Sequence, residues 1–199
     1  MSIDATATGA WVLASTAKAV LIAAWSAATS GTYLDDMGAP GLAPPSEDNV
    51  WLSERRPQSV QLPGFGLFVR DSQSEIVDGM GAADQVCTLE VQVWAADTAR
   101  NADGTAWVTT TDATVWDEQA MEAALRAYVE TAVQILVSAN VGLTNYDLRT
   151  NGSTGIFSCR PARGYSPQRF MESLTDGTAT WTEQLIVAQV VVIQRRALL

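Results

Sequence analysis

Three pairs of adjacent carboxylates, Asp35–Asp36, Glu47–Asp48 and Asp117–Glu118, are the residues of this 199-residue chain best placed to suggest acid–base chemistry. Hydrolysis by a carboxylate pair needs two acids facing each other across a cleft, about 5–10 Å apart. Neighbours in a helix or strand point in different directions, so such a pair would have to be built across the fold from distant acids. Histidine is absent. That removes Ser-His-Asp and Cys-His nucleophiles, H-E-x-x-H zinc peptidases and imidazole-ligated metals. Cys87 and Cys159 lie too far apart in sequence for C-x-x-C redox or zinc-ribbon spacing. Each sits in an apolar, strand-like context. The expectation is two structural thiols, with one disulfide as the alternative.

Glycine-rich and polar loops offer little more. Gly64-Phe65-Gly66 and Gly79-Met80-Gly81-Ala82-Ala83-Asp84 have the look of dinucleotide loops, but both lack the third glycine. Strand-like residues follow them, so no helix N-terminus is at hand for a pyrophosphate. They read as hairpin glycines. Asn101-Ala102-Asp103-Gly104 would sit in a calcium loop only if acids stood where Ala99 and Thr110 stand. Asn151-Gly152-Ser153 fits the glycosylation pattern, which carries no meaning without secretion. No cofactor and no metal are expected.

Twelve basic residues oppose 22 acidic ones, a net charge of −10, and Lys18 is the single lysine. Nucleic-acid grip needs clustered Lys and Arg, so this balance argues against it. The length suits one domain with its own core. The apolar run Ala10–Ala28 lacks the positive start of a signal peptide, and a membrane span there would bury Lys18 near mid-bilayer. It reads as a helix packing on a sheet or a neighbouring subunit, with no membrane partner.

Residues 1–199 therefore divide into an N-terminal helix (1–30), an irregular arm (31–57) and a sheet–helix–sheet core (58–199). The first helix spans about Thr8–Ala28, with Gly31 as its terminator. Gly and Pro then dominate as far as Pro57, and a segment this long is more often functional or ordered by a partner. Val60, Leu62, Leu67, Phe68 and Val69 suggest two short extended pieces broken at Pro63-Gly64. Gln85–Ala95 alternates: Cys87, Leu89, Val91 and Val93 face one way, and Thr88, Glu90, Gln92 and Trp94 the other. That is the period of a half-buried antiparallel strand. A further strand is expected within Trp107–Val115.

Asp117 can cap a second helix running to about Ala139, with Met121, Leu125, Tyr128, Ala132 and Leu136 on one face. Glu122 and Arg126 form an i,i+4 pair on another face, and Gly142 follows as terminator. A strand near Ile156–Arg160, an irregular region Pro161–Gly177 and a long strand Thr180–Arg196 complete the chain. The last is apolar on nearly both faces from Leu185 to Ile193, as in a central strand. The fold class is α+β: an antiparallel sheet carrying two main helices, plus long loops and an arm.

Seven tryptophans are many for this length. Trp51 in the arm, Trp94 on the polar side of its strand, and Trp107 are candidate subunit-interface residues, because tryptophan is enriched in interface cores. Arg195 and Arg196, closing the last strand, are candidates for a subunit salt bridge or a solvated end.

This order of elements resembles the tail terminators (tail-completion proteins) and related neck proteins of long-tailed bacteriophages. The carriers are Gln85–Ala95 (QVCTLEVQVWA), the helix Asp117–Ala139 and Trp181–Arg196 (WTEQLIVAQVVVIQRR), over about Val60–Leu199 plus the first helix. The arm Gly31–Pro57 departs from the smaller members. The resemblance implies a non-enzymatic virion protein, assembled in the host bacterial cytoplasm. It would form a homo-oligomeric ring, commonly a hexamer, that caps the tail tube and meets the head-side connector or stopper protein. A head-completion (stopper) or tail-tube protein is the alternative within that class, and a carboxylate-dependent hydrolase the alternative outside it. A ring of six would carry about −60, six times −10, letting DNA pass through its lumen without sticking.

Overall fold

A computed structural model describes residues 9–29, 44–57, 62–77, 82–96, 118–145, 156–162, 168–175 and 180–197. Helix α1 (Gly9–Thr29) is followed by strands β1 (Val50–Trp51), β2 (Gly64–Val77) and β3 (Ala82–Ala96). Helix α2 (Glu118–Val137) leads to β4 (Ile156–Pro161), β5 (Gln168–Thr175) and β6 (Thr180–Ala197). The architecture is α+β, with six strands in one sheet ordered β1-β2-β3-β6-β4 and β5 also paired to β6. All pairings are antiparallel except β1 with β2.

The central position of β6 follows from its composition. It pairs with β3 along one edge, from Glu183 to Ala197, and with β5 and then β4 along the other. Ile186, Ala188, Val190 and Val192 on one face, and Leu185 and Val187 on the other, are all buried. The helix-covered face is buried along the run, and the other face at Leu185 and Val187, while Val191 and Ile193 are half-buried.

Both helices pack on one face of the sheet. Their contact surface is built from rungs that run straight across the strands: Phe65–Val93–Ile186, then Leu67–Val91–Ala188, then Val69–Leu89–Val190. Helix α1 contributes Leu13, Ala17, Val20, Leu21 and Trp25, and its alanines permit close approach. Helix α2 contributes Leu125, Tyr128, Ala132 and Leu136, as its periodicity assigns; the Met121 side chain lies outside what the structure describes. Glu122 and Arg126 pair at 3.0 Å on the outer side, as their spacing predicts. Trp25, Phe65 and Tyr128 meet where the two helices cross the sheet. Their ring centroids are 5.4 to 5.5 Å apart, with one stacked and two edge-on contacts.

The structure corrects four expectations. β2 is one strand of 14 residues rather than two short pieces, because the β3 ladder holds its polar second half, and a bulge at Arg70 absorbs the mismatch. Gly64 and Gly66 lie inside that strand and not in a hairpin turn. The region Pro161–Gly177 contains β5, a strand whose outer edge has no described partner. Part of the arm is ordered as well. Asn49 accepts from Ser46 N at 2.6 Å and donates to the carbonyls of Pro44 and Pro63, so residues 44–51 form a strap that delivers β1 to the edge of β2. Lys18 clamps the strap to α1: its Nζ donates to the Val50 carbonyl at 2.9 Å and pairs with Glu47 Oε2 at 2.6 Å. Residues 30–43 of the arm and the strand expected within 107–115 lie outside the described residues.

Cys87 and Cys159 are not joined in a disulfide. Both pair with Val192, from opposite sides, so they sit on one rung two strands apart. That is about 10 Å, beyond the ~7 Å reach of a disulfide. Burial pushes the Cys159 thiol up to about 12. Below pH 9 it is protonated folded or unfolded. Between pH 9 and 12 only the unfolded chain ionises, so stability falls with rising pH across that window. Iodoacetamide at pH 8 should therefore label neither cysteine in the native chain and both after denaturation, read by mass spectrometry.

One core residue breaks the apolar pattern. Gln184 is fully buried opposite Ala95 on the helix-covered face, and neither its Oε1 nor its Nε2 has a hydrogen-bond partner among the described residues. A buried unsatisfied amide costs about 1–3 kcal/mol. Gln184→Met keeps the volume and removes the cost, and should raise the thermal midpoint by about 5 °C in calorimetry.

Candidate functional site

The sheet face away from the helices carries the side chains that alternation assigns to solvent, and the structure buries several of them. Glu90 is 2% exposed and Gln92 5%. They belong to one chain of hydrogen bonds running along β3. Trp94 Nε1 donates to Gln92 Oε1 at 3.2 Å, Gln92 Nε2 donates to Glu90 Oε1 at 3.1 Å, and Arg70 donates to Glu90 Oε2 at 2.6 Å. Arg56 lies over the Trp94 ring, 5.3 Å from its centroid.

Hydrogen bonding to Glu90, and then its charge, raises the Arg70 guanidinium above its ordinary value. Each polar atom of Glu90 is therefore matched, which a buried carboxylate requires. Chemically the ladder is a fixed polar rib. Its acid is neutralised and its indole is capped by a cation.

Trp51 sits beside this rib. The sequence places it in an open arm as an interface candidate, but it is 5% exposed, paired in register with Gly66. A Cβ on Gly66 would meet Trp51 Nε1 at 2.9 Å and Gln92 Oε1 at 3.0 Å. The glycine is what lets the indole lie flat on the sheet. Trp51 therefore fills the chain's own structure. Trp94 is half-buried, with its ring engaged by Arg56. Trp107 lies outside the described residues. Arg195 and Arg196 close β6 in register with Asp84 and Ala83. Trp51 and Trp94 are thus brought together beside Gln92, while Arg195 and Arg196 lie at the other end of the β3–β6 ladder.

Among the carboxylate pairs, Glu47 and Asp48 are exposed on the strap, while Asp35, Asp36 and Asp117 lie outside the described residues. Among the described residues the large exposed hydrophobics are Trp11, at 48%, and Val86, at 37%. No described helix is long and apolar enough to cross a membrane.

A further feature is a matter of backbone. The hydrogen bond from Phe65 N to the Asn49 carbonyl, 2.7 Å, shows that Phe65 points its amide away from β3. β1 covers only Phe65 and Gly66. Beyond them, from Leu67 to Val77, the outer edge of β2 has no described strand against it. Sequence reasoning missed the edge because its second half, Arg70–Glu75, is polar and reads as loop.

The chain matches no protein-family model and no curated protein sequence.

Proposed function

We propose that this chain is a structural protein of the neck or upper tail of a long-tailed bacteriophage, a tail terminator whose copies close into a ring. The ring would cap the tail tube and face the head-side connector, and its place would be the virion. The observation that carries this reading is the edge of β2 from Leu67 to Val77, against which no described strand lies. A strand edge with eleven residues that have no partner strand among the described residues is a template for another chain. Pairing with the free side of β4 or β5 in the next copy is a head-to-tail contact, which closes into a ring when its rotation allows.

The net charge of −10 supports the same reading, because an acidic lumen repels DNA and lets it pass. So does the resemblance in element order. Negative-stain images of the purified chain test the reading. Closed rings of one size are expected. Long cylinders would favour a tube subunit, and single particles at every concentration would overturn the ring.

A further inference from the structure

The far half of the helix-free face has a second property, and it concerns side chains. Two rungs cross it in register. One runs Asp71–Thr88–Val191–Arg160 and the next runs Gln73–Val86–Ile193–Ser158. Residues directly opposite one another project on the same side of a sheet. That side is opposite the one holding Cys87 and Val192 against the helices, because successive residues alternate.

The middle of the patch is apolar and open: Val86 is exposed, and Thr88, Val191 and Ile193 are half-buried. Its two ends carry opposite charges. Asp71 and Arg160 are both exposed, and neither has a hydrogen-bond or ion-pair partner among the described residues. Three strand spacings, about 14 Å, separate them, so they do not neutralise each other within the chain.

We infer that this patch packs against the same patch of a second copy, with the two-fold axis parallel to the strands. Rotation about such an axis exchanges the two ends of the rung, so Asp71 of each copy lies over Arg160 of the other. The alternative axis, across the strands, would put Asp71 on Asp71 and is disfavoured by like charge. Sheets stack about 10 Å apart, a gap that an extended arginine and an aspartate span together. Val86 and Ile193 fill the middle. Two rungs cover a few hundred Å², less than the ~800 Å² per partner of a stable complex, so the contact is weak and concentration-dependent. In a ring it would be repeated by every subunit and would join two rings face to face. The inference shares with the proposed function only the premise that copies of this chain meet. It uses a face, whereas the ring uses the β2 edge.

Sedimentation equilibrium on the full chain tests it, comparing wild type, Asp71→Arg, Arg160→Asp and the double reversal. Each single reversal should weaken the face-to-face step about tenfold, since two opposite-charge contacts become like-charge ones. The double reversal should restore wild-type association, and Val86→Lys should abolish it. A net-charge effect gives a different pattern, because Asp71→Arg lowers the overall negative charge and would strengthen association while Arg160→Asp weakened it. That pattern, or single reversals without effect, would overturn the inference. The restored double variant guards against misfolding as the cause of any loss. Rings that persist in Asp71→Arg with unchanged pairing would refute the face contact and leave the ring standing. A charge-dependent dimer without rings would do the reverse.

Discussion

Replacing Trp25 by alanine should lower the stability of this chain by about 3–5 kcal/mol, and the thermal midpoint by about 10 °C or more. Trp25 is the residue through which three elements touch. Its ring stacks on Tyr128 of α2 at 5.5 Å and meets Phe65 of β2 edge-on at 5.4 Å, and Phe65 and Tyr128 also contact each other. All three side chains are almost completely buried. Truncation therefore opens a cavity at the crossing of two helices over the sheet and removes two aromatic contacts worth about 0.5–1.5 kcal/mol each beyond area. Trp25→Phe retains much of the volume and should recover more than half of the loss. Calorimetry on the three chains checks the order. Burial also pushes the Tyr128 phenol well above its ordinary range. Ionisation of the unfolded chain above pH 10 thus lowers stability further as pH rises.

The second large effect is expected at Gly142, and it arises in the backbone. The turn after α2 brings residue 142 back against the end of the helix, where its amide donates to the Ser138 carbonyl at 2.9 Å. A Cβ there would stand 2.5 Å from the carbonyl oxygens of Leu136 and Ser138 and 2.8 Å from that of Ile135. These are main-chain atoms of the final turn, and they yield only if the turn unwinds. Gly142→Ala should cost about 3 kcal/mol. The loss should appear in hydrogen exchange as faster exchange at the C-terminal turn of α2, with the β3–β6 ladder protected as before. Gly66→Ala is the contrasting case. Its Cβ would press on side-chain atoms of Trp51 and Gln92 at 2.9 to 3.0 Å and not on main-chain carbonyls, so a smaller cost is expected.

What the sequence made legible follows from periodicity. The second helix shows itself in Leu125, Tyr128, Ala132 and Leu136, and its terminator in Gly142, because one apolar face and one close approach are local facts. β3 and β6 are equally plain, the first by alternation and the second by its unbroken apolar centre. β5 and the polar half of β2 are not. Their residues carry no periodic signal, and they are strands because a long neighbour offers them hydrogen bonds. β1 is two residues long and is positioned by Asn49, its immediate neighbour, and by Lys18 of α1, 32 residues before Val50.

The candidate interface residues were legible as types and not as places. Trp51 looks exposed because its neighbours are glycine, proline and charge. It is buried because Gly66, in another element, leaves a flat surface for it. Glu90 and Gln92 look like the wet side of an amphipathic strand, yet they form a matched polar rib with Arg70 and Trp94. One hint was present. Trp94 falls on that same side, and a tryptophan among polar residues at period 2 signals a second covered face. The β2 edge and the Asp71–Arg160 rung depend on register between strands distant in sequence, which no local pattern encodes.

The central claim is that copies of this chain close into a ring through the β2 edge. The parity set by Phe65, carried through the bulge at Arg70, points the Ser72 amide outward, away from β3. Proline at that position removes an edge donor while leaving the β2–β3 ladder intact. Native mass spectrometry of the wild type and of Ser72→Pro is the direct measurement. One closed ring mass is expected for the wild type, six copies being the expected number, and no closed ring for Ser72→Pro with its circular dichroism unchanged. A wild-type chain that stays monomeric at every concentration, or a ring that Ser72→Pro leaves whole, would contradict that claim.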